Sequence, residues 1–311
     1  MKKILISGAN PAWQKALTFP VIKPGKVNRA GSALAFASGK GINFARAVSI
    51  YGKAAPEVVQ FTAGSNGRRV SIELDNEKIA HTDIILADGE TRVCSTCIDL
   101  ENQQITELIE PSPVLSNEDI VNFKNTIISK IPSVDAFAIC GTMPAGAPMD
   151  IYAELTDAAL KADKYVLADM IFNLTPVLES SNGKVILKIN ADELAEYSGI
   201  ADTVEALKML DAKYHLACAA ITDGAGKTYL LDRHEVYEYT LPALAEIVNA
   251  IGCGDTASAV MLSEYLYSGN AVESCRMASA CASANCLSMK CAEFELDFAG
   301  DYAKNITIRK I

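Results

Sequence analysis

The chain has 311 residues, half of them hydrophobic, which is enough for a large buried core in one large domain or two ordinary ones. Its formal net charge of −10 disfavours nonspecific binding to nucleic acid but leaves room for a local basic pocket that holds an anionic metabolite. No apolar run reaches the roughly 18 residues of a membrane-spanning helix, and the first residues are typical of a β-strand rather than of a signal peptide.

Short strands and glycine loops alternate over the first third of the chain. Residues 12–37 and 91–110 mix apolar and polar side chains, and we expect them to form a small separate sheet that could close over a site as a lid. SGKGIN, at 38–43, is a glycine loop. The pattern predicts strands at 4–7, 13–21, 27–37, 84–86, 91–99 and 104–109, and helices at 44–51 and 67–76.

After Pro113, strands alternate with helices. The predicted strands are 136–140, 165–169, 185–189, 218–222, 228–231 and 235–240, and the predicted helices are 117–129, 150–162, 190–198, 203–210, 256–262 and 271–287. This alternation predicts an α/β fold with a mostly parallel central sheet and helices on both faces. Ligands of such folds bind at the carboxyl ends of the strands.

The segment VNAIGCGDTASA, at 248–259, suggests phosphate chemistry. Gly252 and Gly254 can turn the chain into a helix of small residues, because glycine adopts backbone angles that other residues resist. The N–H groups of such a turn, with Cys253 at its centre, and the positive end of the helix dipole suit a phosphate oxygen. Asp255 stands where a carboxylate could take a proton from an attacking hydroxyl, and phosphoryl transfer to an alcohol needs both features.

Two other interpretations fit the same segment. Asp255 could be a plain helix cap. Gly252, Gly254 and Ala257 also match a dinucleotide-binding fingerprint, but the residues near 271–275, which should lead to its next strand and acidic residue, lead into a predicted helix.

Two polar segments follow predicted strands. TDGAGKT, at 222–228, could lay its backbone over nucleotide phosphates or open a hairpin. It does not fit a P-loop, because Ile221 stands where that motif needs glycine and a strand-like segment follows. In INADEL, Asn190 and Glu193 could orient water around Mg²⁺ or cap a helix.

Four basic residues fall in the small sheet or the glycine loop. Lys26, Arg29, Lys40 and Arg92 together could bind a substrate phosphate, although each alone could equally be a solvated surface charge.

The nine cysteines are odd in number and lie among apolar neighbours, which indicates buried thiols in a reducing cytosol. Cys94 and Cys97 form a C-x-x-C pair on a predicted strand, where they would face opposite ways, and this disfavours a zinc site.

At this point the motifs coincide with a known family. ASGKGINFARAV, at 37–48, resembles the first motif of the ribokinase-like (PfkB) carbohydrate kinases, and VNAIGCGDTASA resembles their second, usually written with GAGD. NPAW, PGKVNRA, TRVCST, GTMPAGAP, INADEL and ITDGAGKT occur in the expected order over essentially the whole chain. The resemblance is greatest to the subgroup with 1-phosphofructokinase and tagatose-6-phosphate kinase. It implies one ribokinase-like domain over 1–311, with a small β lid formed by 12–37 and 91–110.

The resemblance implies an ATP- and Mg²⁺-dependent kinase. Asp255 would be the base, Gly252, Cys253 and Gly254 would form the anion hole, and Asn190 and Glu193 match metal-associated positions. Residues that match the nucleotide side are Lys188, Asn190, Thr222, Asp223, Gly224, Gly226 and Asn285. Residues that match the sugar and its phosphate are Gln14, Lys26, Arg29, Gly39, Lys40, Asn43 and Arg92.

Three positions depart from the pattern of the subgroup. Gln14 replaces an aspartate that binds sugar hydroxyls, Cys94 replaces a common asparagine, and Ser38 replaces the first glycine of GGKG. The first two lie on the substrate side, so we expect phosphoryl transfer to be retained with an altered acceptor.

Our leading hypothesis is a kinase that moves the γ-phosphate of ATP to a hydroxyl of a sugar phosphate of the fructose 1-phosphate or tagatose 6-phosphate type. The alternatives are a kinase for an unphosphorylated sugar or nucleoside, a non-catalytic sugar-binding module, and an NAD-dependent enzyme. We expect a cytoplasmic protein that binds small molecules, neither nucleic acid nor membrane, and that could form a homodimer through the strand edges of the lid.

Overall fold

The computed structural model describes residues 1–311, which form fourteen strands and ten α-helices. The strands are β1 Lys2–Ser7, β2 Ala12–Phe19, β3 Ser32–Ser38, β4 Ala54–Thr62, β5 Ala80–Ile85, β6 Val93–Asp99, β7 Gln104–Ile109, β8 Ala136–Cys140, β9 Tyr165–Asp169, β10 Val185–Asn190, β11 Cys218–Asp223, β12 Lys227–Asp232, β13 Glu235–Thr240 and β14 Thr307–Lys310. The helices are α1 Lys40–Tyr51, α2 Gly64–Asn76, α3 Asn117–Lys130, α4 Ile151–Lys161, α5 Leu174–Glu179, α6 Ala191–Ser198, α7 Thr203–Lys213, α8 Cys253–Ser268, α9 Ala271–Asn285 and α10 Leu296–Ala303. None of these helices has both the length and the apolar character needed to cross a membrane.

Ten strands form the central sheet, in the order β14-β13-β12-β11-β10-β9-β8-β1-β4-β5. Neighbouring strands from β11 to β5 in this order are parallel, whereas β11 to β14 pair antiparallel at one edge. Alternate side chains enter opposite cores, because successive residues of a strand point to opposite faces. Ile4 and Ile6 belong to the core beside α1 and α8, and Leu5 belongs to the core beside α3 and α4. The predicted mostly parallel sheet with helices on both faces is therefore confirmed.

Four strands form a separate small sheet in the order β3-β2-β6-β7. β2 and β6 are parallel, which places Gln14 beside Cys94, and β3 and β7 flank them as antiparallel edge strands. The predicted hairpin of β6 and β7 is confirmed. All residues of β7 are exposed, so this edge of the small sheet has no cover from the rest of the chain.

The structure corrects several element predictions. β4, α5, α10 and β14 lie where none was predicted, and β4 matters most because it joins the parallel sheet between β1 and β5. Pro56, Glu57 and Gln60 interrupt the apolar pattern of this strand. Gln60 is nevertheless buried, and its amide donates a hydrogen bond to Asp83 Oδ1 at 2.9 Å. The predicted strand 27–37 was too long, since β3 begins at Ser32, and the predicted loop SGKGIN mostly forms the first turn of α1.

The first turn of α1 packs directly on the chain that leaves β1. A Cβ added at Gly41 would lie 2.2 Å from the Cα of Gly8, and a Cβ added at Gly8 would lie 2.7 Å from Cγ1 of Val58. The obstacle at Gly41 is backbone, which cannot rotate away. The two glycines therefore allow α1 to begin against the carboxyl end of β1, and this brings Lys40 and Asn43 to the same edge of the sheet as the strand ends.

We expect Gly41→Ala to lower the free energy of unfolding by about 1 to 3 kcal/mol, because the added methyl forces the two backbones apart. Urea denaturation monitored by circular dichroism measures the change. Gly300→Ala is the matched control: Gly300 lies in α10 with no heavy atom near the added Cβ. It should keep or gain stability, by about 0.5 to 1 kcal/mol. A Gly41→Ala variant as stable as wild type would contradict the close approach.

Candidate active site

A cleft of about 1030 Å³ opens between the carboxyl ends of the parallel strands and the small sheet. Asp169 ends β9, Asn190 ends β10, and Thr222 lies beside Asn190 on β11. The first turns of α1 and α8 and one side of the small sheet complete the wall. The predicted site residues that line the cleft are Gln14, Gly39, Lys40, Asn43, Arg92, Lys188, Asn190, Glu193, Thr222, Gly224, Gly226, Gly252, Cys253, Gly254 and Asp255.

The turn before α8 presents backbone N–H groups to this cleft. Gly252 is the N-cap, with φ 85° in the left-handed region, and no side chain caps the helix. The N–H groups of Gly252, Gly254 and Asp255 donate to no protein acceptor, and that of Cys253 makes only a long bond of 3.4 Å to the Ala250 carbonyl. Open donors at the N-terminus of a 16-residue helix favour an anion.

Two neighbours constrain the geometry of this turn. A Cβ added at Gly252 would lie 3.0 Å from the Ala292 nitrogen, so that backbone fills the space behind the turn. A Cβ added at Gly254 would lie 3.2 Å from Nζ of Lys188, so a lysine ammonium stands against the front of the turn. The turn thus combines open N–H donors with a buried cation.

Asp255 follows directly in the first turn of α8 and is 7% exposed. Its Oδ2 accepts a hydrogen bond of 2.8 Å from Asn43 Nδ2, and Asn43 Oδ1 accepts one of 3.0 Å from Ser38. Asp255 Oδ1 has no protein partner. The cap interpretation is wrong, since Gly252 occupies the cap position and Asp255 bonds across to α1.

The surroundings of Asp255 set its protonation. Burial raises the pKa of this carboxyl to about 6, while Lys40 opposes that rise and the nearby Asp169 adds to it. A carboxyl that titrates close to neutral pH is suited to accept and return a proton.

Asp169 is a site residue that the sequence reasoning did not single out. Its Oδ1 lies 2.8 Å from Nζ of Lys40, and its Oδ2 accepts a hydrogen bond of 2.7 Å from Ser258, which lies one turn beyond Asp255 on α8. Burial disfavours its charge, but Lys40, Lys188 and these hydrogen bonds hold its pKa below the usual range. The signal that could have found it is its place at the carboxyl end of a predicted core strand.

Asn190 and Glu193, two of the residues predicted for the nucleotide and metal, line another part of the cleft. Asn190 Oδ1 accepts from the Glu193 N–H at 2.8 Å, and Glu193 Oε2 accepts from the Asn190 N–H at 2.9 Å. The helix-capping interpretation is therefore correct for both side chains, which nevertheless line the cleft and leave Glu193 Oε1 without a protein partner.

Four predicted site residues lie outside the cleft wall. Lys26 and Arg29 are exposed on the loop between β2 and β3 and do not line the cleft. Asp223 is exposed at the end of β11, where it lies opposite Lys227 in the register of the hairpin. Asn285 is fully buried behind the turn, where its Nδ2 donates to the Ile251 carbonyl at 3.2 Å and to Cys253 Sγ at 3.0 Å.

The cleft also has walls that the motifs did not indicate. Glu107 of β7 brings a carboxylate to the end with Gln14 and Arg92. The opposite end has a largely apolar wall, formed by Leu241, Ala243, Leu244, Ile247, Ala250, Ala282 and Tyr302. Five of these residues lie in the loop 241–250 that precedes the turn, and the other two lie in α9 and α10, so no single motif connects them.

The order of the elements decides two of the motif interpretations. The dinucleotide fingerprint needs a strand after its helix, but α8 is followed by the helix α9. TDGAGKT forms the turn between β11 and β12, as the hairpin interpretation predicted, and no helix follows it.

Comparison with known proteins identifies the family of this chain. The pfkB family of carbohydrate kinases, as a family model, matches residues 10–297. The chain belongs to the pfkB family. Similar solved structures include a "possible 1-phosphofructokinase" from Thermotoga maritima, with a TM-score of 0.88, 20% identity and 99% of each chain covered. Phosphofructokinase-2 of Escherichia coli, in complex with substrates and products, has a TM-score of 0.87 at 18% identity, with 98% of this chain and 99% of that chain covered. A carbohydrate kinase of Agrobacterium tumefaciens has a TM-score of 0.75 at 18% identity over 100% of both chains.

Membership of the pfkB family makes this chain a sugar kinase, a phosphotransferase with an alcohol group as acceptor. The resemblance to ribokinase-like carbohydrate kinases is thereby confirmed, as is the predicted fold. The solved relatives are too distant in sequence to transfer a substrate, so their likeness establishes the fold alone.

The pKa of Asp255 in this pfkB kinase predicts a cost in stability. The folded state binds the proton more tightly than the unfolded chain, so stability falls as pH rises from 3.8 to about 6, and the loss is complete above that range. At 1.36 kcal/mol per pKa unit, the charged carboxylate costs up to about 3 kcal/mol at pH 8.

We therefore expect Asp255→Asn to raise the free energy of unfolding at pH 8, since an amide keeps an acceptor for Asn43 and carries no charge. Urea denaturation at pH 8 and pH 4 measures the effect, which should shrink at pH 4. Asp88→Asn is the control, because Asp88 is exposed and makes no ion pair. An Asp255→Asn protein less stable than wild type at pH 8 would disprove the assigned charge state.

Proposed function

We propose that this pfkB kinase transfers the γ-phosphate of ATP to a hydroxyl of a sugar phosphate of the fructose 1-phosphate or tagatose 6-phosphate type. One observation supports this most directly. Asp255, with Oδ1 unpartnered and a pKa near 6, adjoins a turn whose N–H groups are open to the same cleft. The base and the anion hole that phosphoryl transfer needs are thus adjacent in the chain and in space.

The residues of the cleft fit a nucleotide at one end. The apolar wall that includes Leu241, Leu244 and Ile247 can cover a flat adenine ring, and the turn at Gly224 and Gly226 can approach its phosphates without side-chain obstruction. Lys188, against Gly254, would meet the phosphate that is transferred. The volume of the cleft is at the upper end for small-molecule sites, which allows two substrates together.

Magnesium fits the acidic side chain on the nucleotide side. Mg²⁺ binds through one or two carboxylates, substrate phosphates and several waters, and it would neutralise charge on the phosphates when bound. Glu193 Oε1 and Asn190 are the groups that would hold its water shell.

The acceptor hydroxyl would meet Asp255 Oδ1, which removes its proton as the oxygen attacks phosphorus. Asn43 holds the other carboxylate oxygen, so the orientation of the base is fixed before substrate binds. The N–H groups of Gly252, Cys253 and Gly254 stabilise the negative charge on the phosphoryl group in transit. Lys40, which Asp169 holds at 2.8 Å, contributes a fixed positive charge on the same side.

Arg92 is the group that would recognise a phosphate already on the sugar. One of its terminal nitrogens donates to the Asn10 carbonyl at 3.0 Å, which holds the guanidinium in the cleft. Its Nε is buried and has no hydrogen-bond partner, so the guanidinium keeps an unused donor beside the cleft.

The test is ADP release, coupled to NADH oxidation, with a panel of sugars, nucleosides and sugar phosphates in the presence of ATP and Mg²⁺. We expect turnover of a ketohexose phosphate, with kcat/KM falling below about pH 6 as Asp255 becomes protonated. Asp255→Asn should nearly abolish turnover while binding of ATP persists. Absence of turnover with every acceptor, or full activity of Asp255→Asn, would refute the proposal.

Two observations favour a second candidate, a kinase for an unphosphorylated sugar or nucleoside. Lys26 and Arg29 lie outside the cleft, so two of the four cations expected around a substrate phosphate do not line it. Glu107 adds a negative charge at the same end.

The variant Arg92→Ala separates the two candidates. A phosphorylated acceptor should bind about 1.5 to 3 kcal/mol more weakly, the scale for a hydrogen bond to a charged group, whereas a neutral acceptor should keep its KM. Lys26→Ala is the control, because Lys26 is equally cationic but exposed outside the cleft. The measurement is KM for the best acceptor in each variant. An equal change in KM for Arg92→Ala and Lys26→Ala would contradict a phosphate site at Arg92.

The lid could also form a homodimer interface. β7 is an exposed edge strand, and Leu34, Leu108 and Ile109 of the small sheet are 41%, 59% and 58% exposed. We expect wild type to sediment as a dimer and Leu108→Lys to sediment as a monomer. The proposal would be refuted if the wild-type protein sedimented as a monomer in a sedimentation-velocity experiment.

A further inference from the structure

Seven of the nine cysteines are buried, and the two that are not lie side by side in the cleft wall. Cys253 is the first residue of α8, between the two glycines of the phosphate turn, and Cys286 ends α9. Their sulfurs are 3.2 Å apart, whereas the proposed chemistry of the cleft uses neither thiol. The geometry points to a modification site: Cys253 and Cys286 form a disulfide on oxidation, which closes the phosphate turn to its substrate.

The distance between the sulfurs permits the bond. A disulfide has a sulfur–sulfur length of about 2.05 Å, so the two sulfurs need to approach by only about 1 Å. The two residues lie at adjacent ends of α8 and α9, which pack together as a helical hairpin. The bond would therefore form between elements that are already adjacent, without unfolding either helix.

The surroundings distinguish the two thiols. A hydrogen bond from the Cys253 thiol lowers the pKa of Cys286, and the same bond together with burial raises the pKa of Cys253. Asn285 Nδ2 donates to Cys253 Sγ at 3.0 Å and holds that sulfur toward Cys286. Cys286 is thus the thiol more readily ionised, and thiolates are the nucleophiles in cysteine oxidation.

A peroxide is the oxidant that this arrangement fits. The Cys286 thiolate attacks one oxygen of hydrogen peroxide, so that a sulfur–oxygen bond forms, the oxygen–oxygen bond breaks and hydroxide leaves, to be protonated to water. The Cys253 sulfur then attacks the sulfenic sulfur of Cys286, which forms the disulfide and releases a second water. In sum, two thiols and one peroxide give one disulfide and two waters. A dithiol reductant reverses the reaction by exchange.

Oxidation would lower the rate of phosphoryl transfer by displacing the backbone of the turn. Cys253 carries one of the N–H groups of the anion hole, and its neighbours Gly252 and Gly254 are both glycines, so a pull on its side chain moves the whole turn. Loss of a single donor from such a hole lowers kcat by about a hundredfold or more, and we expect a loss of this order in the oxidised protein. This consequence rests on the proposed function, whereas the bond itself does not.

The experiment treats the reduced full-length protein with hydrogen peroxide and follows both the bond and the activity. Trypsin alone would leave Cys253 and Cys275 in one peptide. A glutamyl endopeptidase is therefore added, which cuts at Glu264 and Glu273 between them. Mass spectrometry should find the peptides of Cys253 and Cys286 linked, with the loss of two hydrogens. ADP release should fall in parallel and return with dithiothreitol, and a nonhydrolysable ATP analogue should slow both changes.

Two variants make the result specific. Cys286→Ala should keep in peroxide the activity that the same variant has without peroxide. Cys94→Ala, which removes another thiol of the cleft that has no sulfur neighbour, should still be inactivated like the wild type. Absence of the linked peptide from a peroxide-treated active enzyme would overturn the thiol pair, and a linked enzyme with full activity would overturn its effect on the turn. A reduced protein without kinase activity would instead refute the proposed function, while the linked peptide would still report on the bond.

Discussion

The site depends on two buried carboxylates, of which only one forms an ion pair with the nearby Lys40. Asp169 has Lys40 at 2.8 Å and a serine hydroxyl at 2.7 Å, so it remains charged. Asp255 has only the neutral amide of Asn43 as a direct partner, and its carboxylate adjoins the charge of Asp169. Because one acid has the cation and the other does not, their pKa values move apart, and only Asp255 can exchange a proton near neutral pH.

The backbone keeps these groups within reach of each other. Gly8 and Gly41 let α1 start directly on the end of β1, and the left-handed conformation of Gly252 turns the chain into α8 against the backbone at Ala292. The two helices therefore point their N-termini into one cleft from neighbouring positions over the sheet. Side chains alone could not achieve this, since each of these contacts is between main-chain atoms that would meet any added Cβ.

The environment of Ser38 illustrates how a departure from a family pattern can be accommodated. Its hydroxyl donates to Asn43 Oδ1, and Asn43 donates in turn to Asp255. The substituted residue thus supports the orientation of the base. Gln14 is held in a comparable way, because its amide donates to Thr96 at 2.6 Å within the small sheet. Both substitutions are built into hydrogen-bond networks of the folded protein.

Much of the fold was predictable because its signals are local. Apolar runs such as 165–169 and the glycine turn at 252–254 depend on residues close in sequence, and the structure has the strand and the helix start there. β4 was missed because Pro56, Glu57 and Gln60 hide its period, and burial of a polar side chain can be recognised only when its partner, Asp83, is known. Lys26 and Arg29 were expected in the site because a motif cannot show which way a loop between two strands extends.

By itself, the sequence determined the α/β class, the two motifs and the family to which the chain belongs, because each of these resides in short runs of residues whose chemistry does not depend on distant contacts. The tertiary structure alone decided that Asp169 holds Lys40, that Arg92 reaches the cleft while Arg29 does not, and that Cys253 meets Cys286. Those relations join residues between 33 and 129 positions apart, and only the packing of helices on the sheet brings such residues together.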